Sequence, residues 1–302
     1  WNFMVAQEEA RPSKGKVFAQ RLGSTSLLYG VLMVGLFSSS RQLSLIAFGG
    51  IITLLGVLAL MELYGMAEKR GLKPFRGLGI AIGVALTGSA FWALGIQGQP
   101  DLALDIEIAI LLCAVPVLGV AQIRRYTNED KSSLAPLAAT VFGIIYVAML
   151  LNLLQKIRYF PGLEGHWWLM FFIVVSKMSD TGAYCTGQLI GRTKMIPRVS
   201  PGKTWEGFAG GIAFSVVAAW MFLHFAEEHF GAMPLMHALI LGVVLGVGSV
   251  LGDLVESLFK RESDMKDSGS FFPGVGGILD ILDSLLFNAP LMYLYLKYIL
   301  PS

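Results

Sequence analysis

The sequence predicts an all-α fold, a polytopic integral membrane helical bundle of about nine transmembrane helices. Hydrophobic residues make up 55% of the 302 residues and charged residues only 15%, whereas an ordinary soluble domain is about a quarter charged. The apolar residues also fall into runs of roughly 20, the length that crosses a hydrocarbon core at about 1.5 Å per residue. Lipid is therefore the expected solvent for most of the chain.

The candidate spans follow from these apolar runs, each of which is bounded by charge, proline or glycine. They cover residues 24–38, 43–66, 78–97, 103–122, 134–154, 166–186, 207–226, 236–258 and 277–299. We expect a cytoplasmic lead-in over 1–22, N-terminal transmembrane helices over 23–160, and a catalytic transmembrane region over 161–302.

The basic residues predict the orientation of the bundle. The N-terminal segment and every second loop together hold 18 of the 23 Lys and Arg residues. Because loops rich in Lys and Arg stay in the cytoplasm, these segments are predicted to be cytoplasmic and the C-terminus to lie outside. Lys156 and Arg158 are assigned to a loop on the outer side. The net charge of +2 is too small to suggest nucleic acid as a partner.

The segment around the sixth predicted loop gathers glycines, hydroxyl groups and cations between Ser179 and Gly207. Glycines let backbone N–H groups approach an anion closely, and Lys and Arg balance phosphate charge. A phosphate-bearing ligand is therefore expected here. Gly202-Lys203-Thr204 invites a P-loop interpretation, but Pro197 stands where the first glycine is required, and no strand is expected before it in a membrane bundle.

Two pairs of acidic residues lie in the last two predicted spans. Asp253 and Glu256 are three residues apart near the cytoplasmic end of the eighth span, and Asp280 and Asp283 repeat this spacing in the ninth. Residues at i and i+3 share a helix face. A carboxylate inside a spanning helix is costly unless it is paired, hydrated or bound to a cation. The sequence therefore predicts a site at these helix ends.

The metal that suits this site is Mg²⁺. The candidate ligands are all carboxylate oxygens, and Mg²⁺ commonly joins carboxylates to substrate phosphates. We expect one or two divalent cations, with a monovalent cation as the alternative second ion. The four glycines of the eighth span have a different predicted role, helix packing, because they form two GxxxG spacings, Gly242 with Gly246 and Gly248 with Gly252.

The residues from Ser257 to Asp283 read Ser-x-Phe-Lys-Arg-x4-Lys-Asp-x-Gly-x2-Phe-Pro-x2-Gly-Gly-Ile-x-Asp-x-Leu-Asp. This stretch resembles the C-terminal signature of the phosphatidate cytidylyltransferase (CDP-diacylglycerol synthase) family. Asp180-Thr181-Gly182-Ala183-Tyr184 and Ser200-Pro201-x-Lys203-Thr204-x-Glu206-Gly207 resemble that family as well. The resemblance covers about 105 residues; the earlier spans match only in hydropathy, with a short echo at 62–67. The family usually has His at Val275 and Arg at Ile281.

The resemblance implies that the chain transfers the cytidylyl group of CTP to phosphatidate, giving CDP-diacylglycerol and pyrophosphate for phospholipid biosynthesis. It implies a requirement for Mg²⁺, a homodimer, and a bacterial inner membrane location with the active site facing the cytoplasm. The implied metal ligands are Asp253, Asp280 and Asp283. The expected catalytic residues are these three acids with Lys266 and Asp267. The expected substrate-binding residues are Asp180, Arg192, Ser200, Lys203, Lys260 and Arg261.

Other functions stay open on the sequence. A related CTP-dependent polyprenol or phytol kinase, or a cytidylyltransferase for another lipid phosphate, would use a similar site, but a kinase would release CDP instead of pyrophosphate. A secondary transporter also carries acids inside its helices. The unusual polar residues of this chain lie in its last third and on one side, which favours an enzyme. For Asp180 a structural role is the alternative, since Lys177 precedes it by three residues.

Overall fold

The computed structural model describes residues 29–125, 134–231, 233–265, 269 and 277–300. The helices are α1 (its described part, 29–37), α2 (Arg41–Lys69), α3 (Arg76–Ile96), α4 (Pro100–Arg125), α5 (Ala135–Arg158), α6 (Gly165–Ile190), α7 (Trp205–Phe225), α8 (Leu235–Glu262) and α9 (Ile278–Tyr298). A two-stranded antiparallel hairpin, β1 (Lys194–Ile196) and β2 (Ser200–Thr204), lies between α6 and α7.

The helical fold is confirmed, but the count of nine membrane spans is not. Within the described residues, seven helices, α2 to α5 and α7 to α9, are long and apolar enough to cross a membrane. Helix α6 is 26 residues long, but Lys177 and Asp180 lie near its middle and lower its hydropathy. The described part of α1 is too short to cross a bilayer by itself.

The hairpin between α6 and α7 was not predicted. The expectation that no strand precedes Gly202-Lys203-Thr204 is wrong, because these residues belong to β2 and β1 comes before them. Pro197 lies in the turn between the two strands. The missing glycine therefore still excludes a P-loop. Thr204 ends β2 and caps α7, since its Oγ1 accepts a hydrogen bond from Gly207 N at 3.1 Å.

Small residues let α8 approach two neighbouring helices. Gly242 and Gly246 lie against α7, whereas Gly248 and Gly252 lie against α9. A Cβ atom added at Gly252 would lie 2.5 Å from the carbonyl oxygen of Asp283. These contacts agree with the predicted role of the two GxxxG spacings in packing, and they give each spacing a different partner helix.

Asn288 of α9 joins three helices in the core. Its Nδ2 lies 3.0 Å from Ser176 Oγ of α6, and 2.8 Å from Leu245 O and 2.9 Å from Ser249 Oγ of α8. The Asn288 side chain is fully buried. A buried amide with partners on two other helices restricts how these helices slide and rotate. The polar ends of α6, α8 and α9 are thereby held in register.

A second buried polar network links α3, α4 and α5. Lys156 Nζ of α5 lies 2.5 Å from Glu107 Oε2 of α4, and Asn152 Nδ2 donates to Glu107 Oε1 at 2.9 Å. Gln155 Nε2 donates to the Thr87 carbonyl oxygen of α3 at 3.0 Å. The assignment of Lys156 and Arg158 to a loop is therefore wrong, because α5 extends to Arg158. Within α5, Glu107 offsets the cost of burying the charge of Lys156.

Two basic helix ends contact the backbone of a neighbouring loop. Arg125 at the end of α4 donates to the Lys73 carbonyl oxygen just before α3, at 2.7 Å. Arg261 near the end of α8 donates to the Val199 carbonyl oxygen in the hairpin turn, at 3.1 Å. The hairpin turn therefore lies against the end of α8.

Candidate active site

Three acidic side chains converge where α8 meets α9. Asp253 and Glu256 project from α8 and Asp283 from α9, and one carboxylate oxygen of each lies within 4.8 Å of the others. The i, i+3 spacing puts Asp253 and Glu256 on the same face of α8, and Gly252 allows the backbone of α9 to come close. We name Asp253, Glu256 and Asp283 the carboxylate cluster.

The carboxylate cluster has the donors of a divalent-cation site. Glu256 is 0% exposed and Asp283 is 6% exposed. Oε1 of Glu256 is buried without a hydrogen bond, whereas Oε2 pairs with Lys260. Buried acids so close together repel one another unless a positive charge compensates them. Three hard oxygen donors at this spacing fit Mg²⁺.

Lys177 of α6 faces the cluster from the third helix. Its Nζ lies 2.8 Å from Ser284 Oγ, 3.3 Å from Asp180 Oδ2 and 3.7 Å from Asp283 Oδ1. Lys177 is therefore shared between α6 and α9 and does more than neutralise Asp180. Its stem also lines a small apolar cavity of about 50 Å³ together with Ile281. A cation thus lies beside the position at which the resembled family usually has Arg.

Lys203 brings the hairpin to the cluster. It projects from β2, and its Nζ lies 2.8 Å from Asp253 Oδ2 and 3.1 Å from the Val250 carbonyl oxygen. The Lys203 side chain is 19% exposed and that of Asp253 is 37% exposed. Asp253 is thus the member of the cluster that solvent reaches most easily. Its other oxygen, Oδ1, accepts a hydrogen bond from Ser257 at 3.2 Å.

Lys260 joins α8 to α9 beside the cluster. Its Nζ lies 2.6 Å from Asp280 Oδ1 and also pairs with Glu256. Asp280 Oδ2 accepts a hydrogen bond from Gly277 N at 2.8 Å. Asp280, expected as a metal ligand, therefore lies outside the carboxylate cluster and binds Lys260. Glu256 stands in the cluster in its place.

The hairpin is anchored at both of its ends. The Glu206 carboxylate accepts hydrogen bonds from Arg192 N and Thr193 N at 3.1 Å, so the first turn of α7 fixes the entry to β1. Arg261 holds the turn through Val199. The Arg192 side chain is exposed. The Nε atom of Arg261, which is expected to bind phosphate, donates to the Val199 backbone carbonyl oxygen.

An open cleft of about 490 Å³ lies between the hairpin and the ends of α6, α7 and α8. Polar and small residues form much of its wall: Asp180, Gly187, Gln188, Ser200, Gly202, Lys203, Thr204, Gly207 and Asp253. The wall thus combines a cation, Lys203, with two acids, Asp180 and Asp253. This combination suits a phosphate-bearing ligand that arrives with a metal ion.

The structure brings together only part of the predicted site. Asp180, Ser200, Lys203 and Asp253 line the cleft, and Asp283 joins Asp253 in the carboxylate cluster. Lys266 and Asp267 lie outside the described residues, as does Val275.

Three contributors were not assigned to the site from the sequence. Glu256 is not among the metal ligands that the resemblance implies, although its i, i+3 spacing from Asp253 is a signal in the sequence. Lys177 had the signal of a charge inside an apolar span. Ser284 had no sequence signal apart from its position next to Asp283.

Comparisons with known proteins agree with the resemblance seen in the sequence. The profile described as "Cytidylyltransferase family" matches residues 19–299. A protein named phosphatidate cytidylyltransferase from Chlamydia pneumoniae is 32% identical over 92% of this chain and 91% of its own length. The match is therefore not confined to the C-terminal signature.

Two further relatives with the same name match shorter regions. The Bacillus subtilis protein is 37% identical over 63% of this chain and 68% of its own length. The Haemophilus influenzae protein is 41% identical over 45% of this chain and 48% of its own length. The chain thus spans about half to two thirds of these two relatives. With the family match over nearly its whole length, the chain belongs to the cytidylyltransferase family and is a nucleotidyltransferase.

Proposed function

We propose that this chain transfers the cytidylyl group of CTP to phosphatidate and so forms CDP-diacylglycerol and pyrophosphate for phospholipid biosynthesis. The observation that carries the proposal is the carboxylate cluster, whose Asp253 also lines a cleft walled by the Lys203 hairpin. The relatives named phosphatidate cytidylyltransferase support this choice of substrates. No feature of the described residues favours the kinase or transporter alternatives.

The proposed nucleotide site is the cleft. Lys203 would hold phosphate oxygens, and the exposed backbone around Ser200 and Gly202 would supply N–H donors. Asp180 lines the same cleft while paired with Lys177, and in this proposal it would orient the nucleotide. Arg192, exposed at the entry to β1, would meet charge at the mouth of the cleft.

The proposed cation ligands are Asp253, Glu256 and Asp283. Mg²⁺ held by these carboxylates would neutralise charge on the triphosphate and on the leaving pyrophosphate. Asp280 keeps a role in the proposal through Lys260, which it holds against Glu256. Lys266 and Asp267, from the same signature, remain proposed catalytic residues on the resemblance alone.

The reaction needs positioning more than acid–base chemistry. An oxygen of the phosphatidate phosphate attacks the α-phosphorus of CTP, and the bond from that phosphorus to the bridging oxygen of the β-phosphate breaks. The bonding electrons leave with pyrophosphate. Because a phosphate monoester is already anionic at neutral pH, no strong general base is required. The side chains of the site would align the two phosphates and balance their charge.

We also propose that the protein lies in a bacterial inner membrane with the cleft facing the cytoplasm, and that it forms a homodimer. The distribution of Lys and Arg supports this orientation. Phosphatidate would then enter from the surrounding bilayer and CTP from the cytoplasm. Cross-linking in native membranes would test the dimer.

The test uses the purified full chain in detergent with phosphatidate, Mg²⁺ and CTP labelled at the α-phosphate. We expect label to enter the lipid and pyrophosphate to appear in equal amount. Asp283→Asn should abolish transfer, whereas Asp101→Asn, an acid at the start of α4, should leave it unchanged. Release of CDP without label in the lipid would replace the proposal with a kinase.

A further inference from the structure

Glu62 lies on α2, far from the signature in sequence, yet its carboxylate contacts the start of α9. Its Oε1 accepts a hydrogen bond from Ile278 N and its Oε2 from Leu279 N, both at 2.9 Å. The partners are 216 and 217 residues apart along the chain. Among the contacts described above, this is the one that ties the N-terminal helices to the acidic end of α9.

The two amides need an acceptor from outside their own helix. The first N–H groups of an α-helix have no intrahelical partner, and Ile278 and Leu279 are both 0% exposed, so water does not reach them. A carboxylate also suits this place electrostatically, because the N-terminus of a helix carries partial positive charge. Glu62 therefore meets both requirements at once.

The first turn of α9 is held from two sides. Glu62 binds it from α2, and Lys260 binds Asp280 from α8 at 2.6 Å. Asp283 comes one turn later and belongs to the carboxylate cluster. A shift or rotation of this turn would move Asp283 relative to Asp253 and Glu256.

Gly269 shows how closely the chain is fitted around Glu62. A Cβ atom added at Gly269 would run into the Glu62 carboxylate. Gly269 therefore lies against the same carboxylate that binds the amides of α9. One side chain of α2 thus contacts both the signature segment and the helix that follows it.

We propose that Glu62 is a positioning residue for cytidylyl transfer, which sets the place of Asp283 in the carboxylate cluster by fixing the first turn of α9. The inference rests on the proposed function for its kinetic consequence and on the carboxylate cluster alone for its effect on cation binding. A residue that merely stabilised the fold would change the unfolding temperature without changing the affinity for the cation.

Two variants of Glu62 test separately whether two acceptor oxygens and the full side-chain length are required. Glu62→Gln keeps the volume but replaces one acceptor oxygen with an NH₂ group, so one of the two amides loses its partner. Glu62→Asp keeps the charge but is one methylene shorter. The matched control is Glu68→Gln on the same helix, since Glu68 is an exposed acid whose partner is Arg76 at 3.7 Å.

The first measurement is independent of catalysis. The full chain is unfolded thermally in detergent over a series of Mg²⁺ concentrations, and the concentration that gives half of the Mg²⁺-dependent rise in unfolding temperature is recorded. We expect Glu62→Gln to raise this concentration about 10-fold, within the range that loss of a residue supporting metal ligands produces. Glu62→Asp should lie between Glu62→Gln and the wild type, and Glu68→Gln should match the wild type.

The second measurement is steady-state cytidylyl transfer. We expect Glu62→Gln to lower kcat more than it raises the KM for CTP, because the cleft itself is unchanged. An unchanged Mg²⁺ dependence in Glu62→Gln, with only a lower unfolding temperature, would overturn the inference. Should Glu62→Gln fail to fold, a wild-type Mg²⁺ dependence in Glu62→Asp would overturn it as well. If Mg²⁺ raises the unfolding temperature of the wild type but no label is transferred, the proposed function is refuted. The positioning role would then still be tested by the Mg²⁺ dependence of unfolding in the Glu62 variants.

Discussion

Lys203 Nζ lies 2.8 Å from Asp253 Oδ2, so the hairpin presents a cation to an acid of the carboxylate cluster. The pair connects the two parts of the site, which lie on different elements, β2 and α8. Asp253 balances the charge of Lys203. We expect Lys203 to bind the phosphates of CTP and Asp253 to bind the cation, so that the two side chains no longer pair with each other.

The first prediction concerns this lysine. Lys203→Met should raise the KM for CTP about 10-fold or more, because hydrogen bonds to charged groups contribute about 1.5–3 kcal/mol and each 1.4 kcal/mol is about tenfold in affinity. Lys203→Arg should retain part of the affinity, since the charge remains but its shape differs. Titration calorimetry with CTP and steady-state kinetics would measure both. The control is Lys194→Met, on β1 of the same hairpin. An equal rise in the KM for CTP in this variant would mean that the effect comes from the loss of net charge and not from a contact of Lys203.

The second prediction separates Glu256 from its neighbours on α8. Glu256→Gln should raise the Mg²⁺ concentration for half-maximal activity by about 10-fold or more, since losing a ligand should cost at least as much as losing a residue that supports one. Lys260 should stay in place in this variant because Asp280 still binds it. Glu262→Gln, an exposed acid on the same helix, should behave as the wild type. An unchanged Mg²⁺ requirement in Glu256→Gln would remove Glu256 from the ligand set.

The third prediction tests the contact between α8 and α9. Gly252→Ala should destabilise the protein by about 1–3 kcal/mol, as overpacking typically does, and should lower activity by separating Asp253 from Asp283. The added Cβ would meet the Asp283 carbonyl oxygen, which belongs to the backbone and has little freedom to move. Gly65→Ala on α2 meets nothing within 4 Å and should be neutral or stabilising. Thermal unfolding and label transfer, measured on both variants, would show whether the effects differ as expected.

The fourth prediction concerns the buried network away from the cleft. Lys156→Met should destabilise the protein by about 3–5 kcal/mol, because the Glu107 carboxylate would remain buried without its compensating cation. The Glu107 side chain is only 5% exposed. Adding Glu107→Gln should restore much of the loss, and the folded double variant should keep its KM for CTP. A large change in that KM would show that this network acts on the active site.

The apolar pattern predicted most of the helices and little of their packing. Runs of about 20 apolar residues mark helices in lipid strongly, so α2, α5 and α8 begin and end near their predicted bounds. The hairpin was not predicted because its strands have only 3 and 5 residues. Strands this short in a basic loop show no alternation of apolar and polar residues. Its position was nevertheless marked by the cluster of glycines and cations.

Within the candidate site, spacing predicted which helices carry the acids but not which acid faces which partner. Asp280 and Asp283 share one face of α9, and Asp253 and Glu256 share one face of α8. The rotation of α9 against α8 decides that Glu256 enters the cluster and that Asp280 meets Lys260. That rotation depends on Gly252, Asn288 and Glu62, whose partners lie far away in sequence. No local pattern contains such information.

The glycines of α8 fix its rotation on two sides at once. Gly242 and Gly246 form the seam with α7, and Gly248 and Gly252 form the seam with α9. Inserting one residue between the two pairs would turn the second half of the helix by about 100° relative to the first, since an α-helix has about 3.6 residues per turn. One seam would then face lipid, and Asp253 would leave the cluster. The number of residues in α8 between these two seams is therefore fixed by the packing of α7 and α9.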